Sequence, residues 1–127
     1  MTRSARTVLV LVAAAVFHAS VVAAPGPAPA ATPAVQAVQW RSFEPASFKA
    51  AREEGKLILL SIQAPWGHWD RMMSEITFAD PRVIALANEK FIAIKVDAQL
   101  RPDIDGRYGV GGSPTTTFLL HTGQPFS

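Results

Sequence analysis

The residues best suited to chemistry lie together in one short segment, residues 66–70 (WGHWD). His68 and Asp70 could act as a general acid and base, or as two ligands of a metal ion. A zinc site needs three or four ligands, and the remaining imidazoles, His18 and His121, are distant in the sequence. A carboxylate near a helix start more commonly accepts hydrogen bonds from free backbone N–H groups. We therefore predict that Asp70 is a capping residue and that the chain holds no metal and no cofactor.

Two tryptophans, Trp66 and Trp69, belong to the same segment. Exposed indole rings would form an apolar surface for an extended peptide or a protein partner. Alternatively, one ring packs into the core and the other is only partly exposed. The sequence leaves both interpretations open.

A second polar group of residues follows later in the chain. Asp97, Asp103 and Asp105 lie close to Arg101, and several carboxylates together can bind a divalent cation. Their spacing does not match the calcium-loop pattern D-x-[DN]-x-[DN]-G. We therefore expect helix caps and loop hydrogen bonds rather than a metal site.

The chain contains no cysteine, which excludes disulfides, thiolate metal sites and thiol nucleophiles. It has 12 basic and 10 acidic residues, and Arg3 and Arg6 belong to the N-terminal leader. The rest of the chain is therefore neutral and gives no electrostatic reason to bind nucleic acid. The sequence has no G-x-S-x-G, phosphate-binding loop or H-E-x-x-H motif, and no residue is predicted to be catalytic.

Residues 1–24 have the layout of a secretory signal peptide: basic residues, an apolar stretch and small residues before a cleavage point near Ala23 or Ala24. We predict export to the periplasm or the extracellular space. The less favoured alternative is an uncleaved membrane anchor formed by residues 8–24. Residues 25–39 are rich in proline and alanine and predict an extended, solvated linker.

From residue 40 to residue 127, helical and strand patterns alternate. A continuous apolar run predicts a buried strand at residues 57–62, and residues 91–96 predict a second one. Residues 115–120 are rich in β-branched side chains and predict a third strand. Prolines 45, 81 and 102 each suit the first turn of a helix, and Asp80 suits the cap before the second of them. A further helix should begin near His68 and carry Met72, Met73 and Ile76 inward. Residues 121–124 predict a hairpin turn, so the sheet should be mixed.

Four segments of this chain resemble one family: residues 48–62 (FKAAREEGKLILLSI), His68-Trp69 with Met73 and Phe78, residues 94–108 (IKVDAQLRPDIDGRY) and residues 111–126 (GGSPTTTFLLHTGQPF). The family is that of the thioredoxin-like domain of spermatogenesis-associated protein 20. The resemblance implies a thioredoxin-like α/β fold in which helices flank a central mixed sheet. It also implies a further strand and a final helix, so the domain, residues 40–127, is expected to be incomplete at its C-terminal end.

In the resembled family the turn after the first core strand reads Cys-His-Trp-Cys-His. The matching residues here are Gly67, His68, Trp69, Asp70 and Arg71, so both redox cysteines are replaced. The thiolate that attacks a disulfide and the thiol that resolves the mixed disulfide are both missing. The resemblance therefore implies a redox-inactive thioredoxin-like protein.

The resemblance further matches Pro114 to the cis-proline beside which thioredoxins bind extended substrates. Together with Ser113, Trp66 and Trp69, it is a candidate peptide contact. We therefore predict a non-catalytic peptide- or protein-binding module that contacts a membrane only if its leader is uncleaved. The alternative is an enzyme of altered chemistry that uses His68 and Asp70 on a small substrate or a metal. The sequence predicts no oligomeric state.

Overall fold

The computed structural model describes Gly26 and residues 36–126. The predicted signal peptide and most of the predicted linker lie outside the described residues. The helices and strands follow one another in the order α1 (Pro45–Glu54), β1 (Leu57–Gln63), α2 (His68–Met72), a π-helical turn (Met73–Thr77), α3 (Pro81–Lys90), β2 (Phe91–Asp97), α4 (Pro102–Tyr108) and β3 (Thr115–Leu119).

The three strands form one mixed sheet in the order β2-β1-β3. β1 pairs in parallel with β2, where Leu60 lies opposite Ile94. It pairs antiparallel with β3, where Leu60 lies opposite Thr117. β1 is therefore the central strand, and its side chains are buried on both faces, as the continuous apolar run predicted. The predicted α/β fold with a central mixed sheet is confirmed.

Side chains alternate between the two faces of β1, and each face has its own hydrophobic core. Ile58, Leu60 and Ile62 join the core that also contains Ala51 of α1 and Ile104 of α4. Leu59 joins the opposite core with Ile84 and Ala87 of α3. The helices therefore lie on both faces of the sheet.

The predicted helix starts are confirmed. α1, α3 and α4 each have a proline in the first turn. Asp80 caps α3, because its Oδ1 accepts a hydrogen bond from the backbone N–H of Arg82 at 2.8 Å. α1 ends at Gly55, whose φ of 64° is the left-handed conformation that favours glycine.

The prediction that Ile76 points inward is wrong, because 59% of its surface is exposed. The backbone N–H of Phe78 donates to the carbonyl of Met73 at 2.9 Å, which is the i→i+5 bond of a π-helical turn. The wider turn shifts the helical register, so Phe78 is buried instead. Its ring packs edge-on against Trp40, with the ring centres 4.9 Å apart.

The domain begins before Trp40, inside the predicted linker. Val38 is buried in the core on the α3 side of the sheet. Asn88 of α3 accepts a hydrogen bond from the backbone N–H of Gln39 at 2.9 Å and donates one to the carbonyl of Ala37 at 3.0 Å. Val38 is therefore packed into the domain, while Ala37 and Gln39 on either side of it stay exposed.

The predicted hairpin turn after β3 is confirmed. Gly123 has a φ of 85°, and Leu119 forms an isolated antiparallel bridge with Pro125. The part of the chain that the structure describes contains no further strand or helix after this bridge. It also contains no helix that is long and apolar enough to cross a membrane.

Candidate functional site

The segment that carries the candidate residues connects the C-terminal end of β1 to α2. Trp66 and Trp69 expose 74% and 69% of their surfaces. The interpretation in which one of the two rings packs into the core is therefore wrong. The imidazole of His68 packs against the indole of Trp69, with the ring centres 5.1 Å apart. All three rings are exposed, and we call these three residues the Trp turn.

Asp70 differs from its neighbours, because it is buried and only 3% of its surface is exposed. Its Oδ1 accepts a hydrogen bond from the backbone N–H of Ala64 at 2.7 Å and another from the hydroxyl of Ser113. The same N–H of Ala64 also lies 3.0 Å from the Ser113 hydroxyl oxygen. One carboxylate thus joins the end of β1, α2 and the loop that precedes β3.

These bonds correct the predicted capping role of Asp70. No side chain caps the start of α2, and Asp70 is the third residue of that helix. Its carboxylate reaches back to Ala64 and across to Ser113 instead of to the free N–H groups of its own helix. A buried carboxylate is stabilised only when hydrogen bonds replace its lost water, and these two neighbours supply them.

Gly67 leaves the space that the Asp70 carboxylate needs. A Cβ atom on Gly67 would overlap Oδ2 of Asp70 and would lie 2.9 Å from its Cγ. Gly67 has a φ of −71°, which any residue adopts, so space rather than backbone conformation requires glycine here. Gly67 and Asp70 match the two cysteines of the resembled family. They depend on each other sterically, because the carboxylate of Asp70 occupies the space that a side chain on Gly67 would need.

A polar network joins β1 to the π-helical turn. The amide of Gln63 donates to the hydroxyl oxygen of Ser61 at 2.9 Å, and its carbonyl accepts from the hydroxyl of Ser74 at 2.9 Å. Both polar ends of the buried Gln63 side chain are thus satisfied. The network supports the backbone from which Trp66 projects.

A cleft of about 550 Å³ lies between the Trp turn and the loop before β3, and we call it the Trp66 cleft. Its lining consists of Ala64, Trp66, Ala98, Asp105, Gly106, Gly109, Gly111, Gly112 and Ser113. The structure thus brings the predicted contacts Trp66 and Ser113 to one cleft, whereas Trp69 and Pro114 are not among its lining residues. The Ser113–Pro114 peptide bond is cis, as the resemblance implied.

Two of the three carboxylates near Arg101, Asp97 and Asp103, accept hydrogen bonds, as the sequence predicted. Asp97 accepts a hydrogen bond from the backbone N–H of Gln99 at 2.8 Å. Asp103 accepts two hydrogen bonds from the guanidinium of Arg101, which lower the pKa of Asp103. Among the described residues no group of three or more histidine, aspartate or glutamate side chains could hold a metal ion.

Comparison with known proteins identifies the family. Residues 31–127 match the Thioredox_DsbH family, which is described as a protein of unknown function, DUF255. The chain belongs to the Thioredox_DsbH family. It is 35% identical to human spermatogenesis-associated protein 20 over 97 residues, which are 70% of this chain and 12% of that protein. The chain thus spans about an eighth of the length of the curated relatives that it matches first.

Solved structures support the fold of this Thioredox_DsbH chain. A DsbH oxidoreductase superposes with a TM-score of 0.66 at 18% identity, covering 82% of this chain and 81% of that one. A putative disulphide-isomerase from Bacteroides thetaiotaomicron superposes with a TM-score of 0.62 at 24% identity, covering 72% and 78% of the two chains. The chain therefore has a thioredoxin-like fold, and its lack of cysteine is consistent with a lack of redox activity.

The sequence did not single out two features of the site. The steric match of Gly67 and Asp70 is not visible in a motif, although a glycine three residues before an aspartate at a helix start is compatible with it. The sequence predicts loop hydrogen bonds for Asp105, whereas the structure places it in the lining of the Trp66 cleft. The glycines that follow Asp105, at positions 106, 109, 111 and 112, are the available signal for a cleft. A residue without a side chain leaves the backbone and the neighbouring side chains accessible.

Proposed function

We propose that this chain is an exported, non-catalytic binding module whose Trp turn and adjoining loop contact an extended peptide or a segment of a protein partner. The observation that carries the proposal is the exposure of Trp66 and Trp69, at 74% and 69%, with Trp66 in the lining of a cleft that Ser113 also lines. Tryptophan side chains are usually largely buried in folded domains, and exposed ones are enriched at binding surfaces.

The loop beside the Trp turn suits an extended ligand. Gly109, Gly111 and Gly112 line the cleft without side chains, so the backbone of a ligand can approach the backbone of the loop closely. Backbone hydrogen bonds would then supply affinity, and the indole rings would contact alternate side chains of the ligand.

Catalysis by His68 and Asp70 receives no support from their geometry. Asp70 is buried, and its Oδ1 is engaged by Ala64 and Ser113. The imidazole of His68 packs against Trp69 on the surface. Gly67 offers no nucleophile at the position of the attacking cysteine. A binding role therefore accounts for the exposed rings without requiring a proton donor or acceptor.

Export is proposed from the leader sequence alone. The test is expression of the full chain in a bacterium, followed by fractionation and measurement of the mature N-terminus by mass spectrometry. A soluble periplasmic product that begins near Pro25 would support export with cleavage. A full-length product in the membrane fraction would support the anchor, and a full-length product in the cytoplasm would contradict export.

Peptide binding can be measured directly with a synthetic library of extended peptides and the purified chain. Binding should change the fluorescence of the exposed indoles of the wild type. The double variant Trp66→Ala with Trp69→Ala should no longer bind the peptide, which titration calorimetry measures without relying on the two removed rings. The matched control is Leu86→Ala on α3, because Leu86 is 54% exposed and lies outside the Trp turn. Equal binding by the tryptophan variants and the wild type would contradict the proposed surface.

The tryptophan variants must also remain folded for this result to be interpreted. Substitution of exposed side chains usually changes the free energy of unfolding by less than about 0.5 kcal/mol. Trp40→Ala should cost about 3 kcal/mol or more, since that ring packs against Phe78. Urea unfolding is measured for Trp66→Ala with Trp69→Ala, for Leu86→Ala and for Trp40→Ala. It shows whether a variant that no longer binds has also lost its structure.

A further inference from the structure

The Trp66 cleft contains one charged side chain that the structure does not otherwise use. Of the nine residues that line the cleft, Asp105 is the charged one. Asp97 and Asp103, its neighbours in sequence, accept hydrogen bonds from Gln99 and Arg101. Asp105 takes part in none of the ion pairs formed by the described residues. Its carboxylate is therefore available to a ligand.

The carboxylate of Asp105 lies against Gly109. Asp105 is half-buried on α4, between the buried residues Ile104 and Tyr108 of the same helix. A Cβ atom on Gly109 would lie 2.6 Å from Oδ1 of Asp105, so the carboxylate rests against the bare backbone of Gly109 at the wall of the cleft. The backbone N–H of Gly109 donates to the carbonyl of Asp105 at 2.7 Å and holds the two residues together.

An exposed indole contributes to the lining of the same cleft. Trp66 exposes 74% of its surface, so the ring is accessible to a ligand. The face of an indole attracts cations, and a carboxylate forms strong hydrogen bonds with guanidinium groups. A planar arginine side chain can stack on the ring and bond the carboxylate at the same time, which a neutral side chain cannot do.

We propose that the Trp66 cleft is a binding subsite for an arginine side chain of the peptide ligand, with Asp105 as the residue that determines its specificity. This inference rests on the proposed peptide-binding function and specifies the ligand of the same surface. The four glycines of the lining leave room for the backbone that carries the arginine, and among the described residues no basic side chain lines the cleft to oppose it.

The test compares three synthetic peptides that differ at one position, which is arginine, lysine or citrulline. Citrulline keeps the size of arginine and removes the charge. We expect the arginine peptide to bind the wild-type chain roughly tenfold or more tightly than the citrulline peptide, as the loss of a charge-assisted hydrogen bond predicts. The lysine peptide should bind with intermediate affinity, and added salt should reduce the difference.

The variant Asp105→Asn should lower the affinity for the arginine peptide to that for the citrulline peptide. The matched control is Asp103→Asn, which changes the net charge equally at a carboxylate that does not line the cleft. Unchanged thermal unfolding of both variants would show that the fold is intact. An equal loss in the two variants would indicate general charge attraction and would overturn the subsite.

The outcomes distinguish this inference from the proposed function. If the wild-type chain binds arginine and citrulline peptides equally, and Trp66→Ala still abolishes binding, the arginine subsite is wrong and the peptide-binding surface stands. If no peptide binds in a manner that depends on Trp66, both proposals fail. A preference for arginine that survives Asp105→Asn would also overturn the role of Asp105.

Discussion

The carboxylate of Asp70 occupies the space into which a side chain on Gly67 would project. A Cβ atom on Gly67 would lie 2.9 Å from Cγ of Asp70 and 3.1 Å from the carbonyl oxygen of Ala64. The hydrogen bonds from Ala64 and Ser113 prevent the carboxylate from simply turning away. Gly67 and Asp70, which match the two cysteines of the resembled family, are therefore sterically coupled in this chain.

Gly67→Ala should lower the free energy of unfolding by about 1–3 kcal/mol, because the added methyl group must displace the bonded carboxylate. The cost should largely disappear when Asp70→Ala is already present. Urea unfolding of both single variants and the double variant measures this coupling. The matched control is Gly106→Ala, where a Cβ atom meets nothing within 4 Å. Inside α4 it should be neutral or stabilising by up to about 1 kcal/mol. Equal costs in the two backgrounds would contradict the steric pairing.

Asp70 and Ser113 should also be coupled energetically, because the Ser113 hydroxyl donates to the Asp70 carboxylate. Asp70→Ala should cost about 2–3 kcal/mol, since it removes the charged acceptor of two hydrogen bonds and leaves the Ala64 N–H with the Ser113 hydroxyl oxygen alone. Ser113→Ala should cost about 1 kcal/mol, and the double variant should cost less than the sum. A parallel cycle of Asp70→Ala with Lys49→Ala, an exposed residue of α1, should be additive. Additivity in both cycles would argue against the bond.

The acid stability of the domain should depend on Asp80, the cap of α3. The hydrogen bond from the Arg82 side chain, followed by that from its backbone, lowers the pKa of Asp80 from 3.8 to about 2. The folded-state pKa is thus below the unfolded value, so this contribution is complete above about pH 4 and is lost as the pH falls toward about 2. The difference in unfolding free energy between wild type and Asp80→Asn should shrink across that interval. A difference that stays constant down to pH 2 would contradict the lowered pKa.

The wild-type chain should not accelerate the reduction of a disulfide substrate by a free dithiol, because it contains no thiol. The variant Gly67→Cys with Asp70→Cys restores both thiols at the start of α2 and should form an intramolecular disulfide, detectable by mass as the loss of two hydrogens. The control, Gly67→Cys with Asp70→Ser, carries one thiol and should not. Wild-type turnover would disprove the redox-inactive assignment.

Much of the fold could be predicted because its signals are local. The cap of α3 by Asp80 before Pro81, the end of α1 at Gly55 and the buried run of β1 each depend on neighbouring residues. Ile76 could not be placed, because the π-helical turn adds a residue to the helical period and no propensity marks that insertion. The burial of Val38 could not be predicted, because the residues before it are rich in proline and indicate a solvated linker. Only the fold shows that this one apolar side chain packs against α3.

The candidate site was predicted in its residues but not in its geometry. The segment 66–70 follows from residue types and from the resemblance. The direction of Asp70 depends on Ser113, a residue 43 positions away that the fold alone brings close. Local capping rules therefore favoured the wrong partners for its carboxylate. The cleft position of Asp105 likewise depends on how α4 packs beside the Trp turn.

The steric pairing of Gly67 and Asp70 constrains how this sequence can change. Restoring a cysteine at position 67 while Asp70 remains introduces a clash, and restoring one at position 70 first removes the bonds to Ala64 and Ser113. Each single step lowers stability before any dithiol exists to be selected. In evolutionary terms the pair is entrenched, because each path back to two cysteines passes through a single variant that is less stable than the present chain.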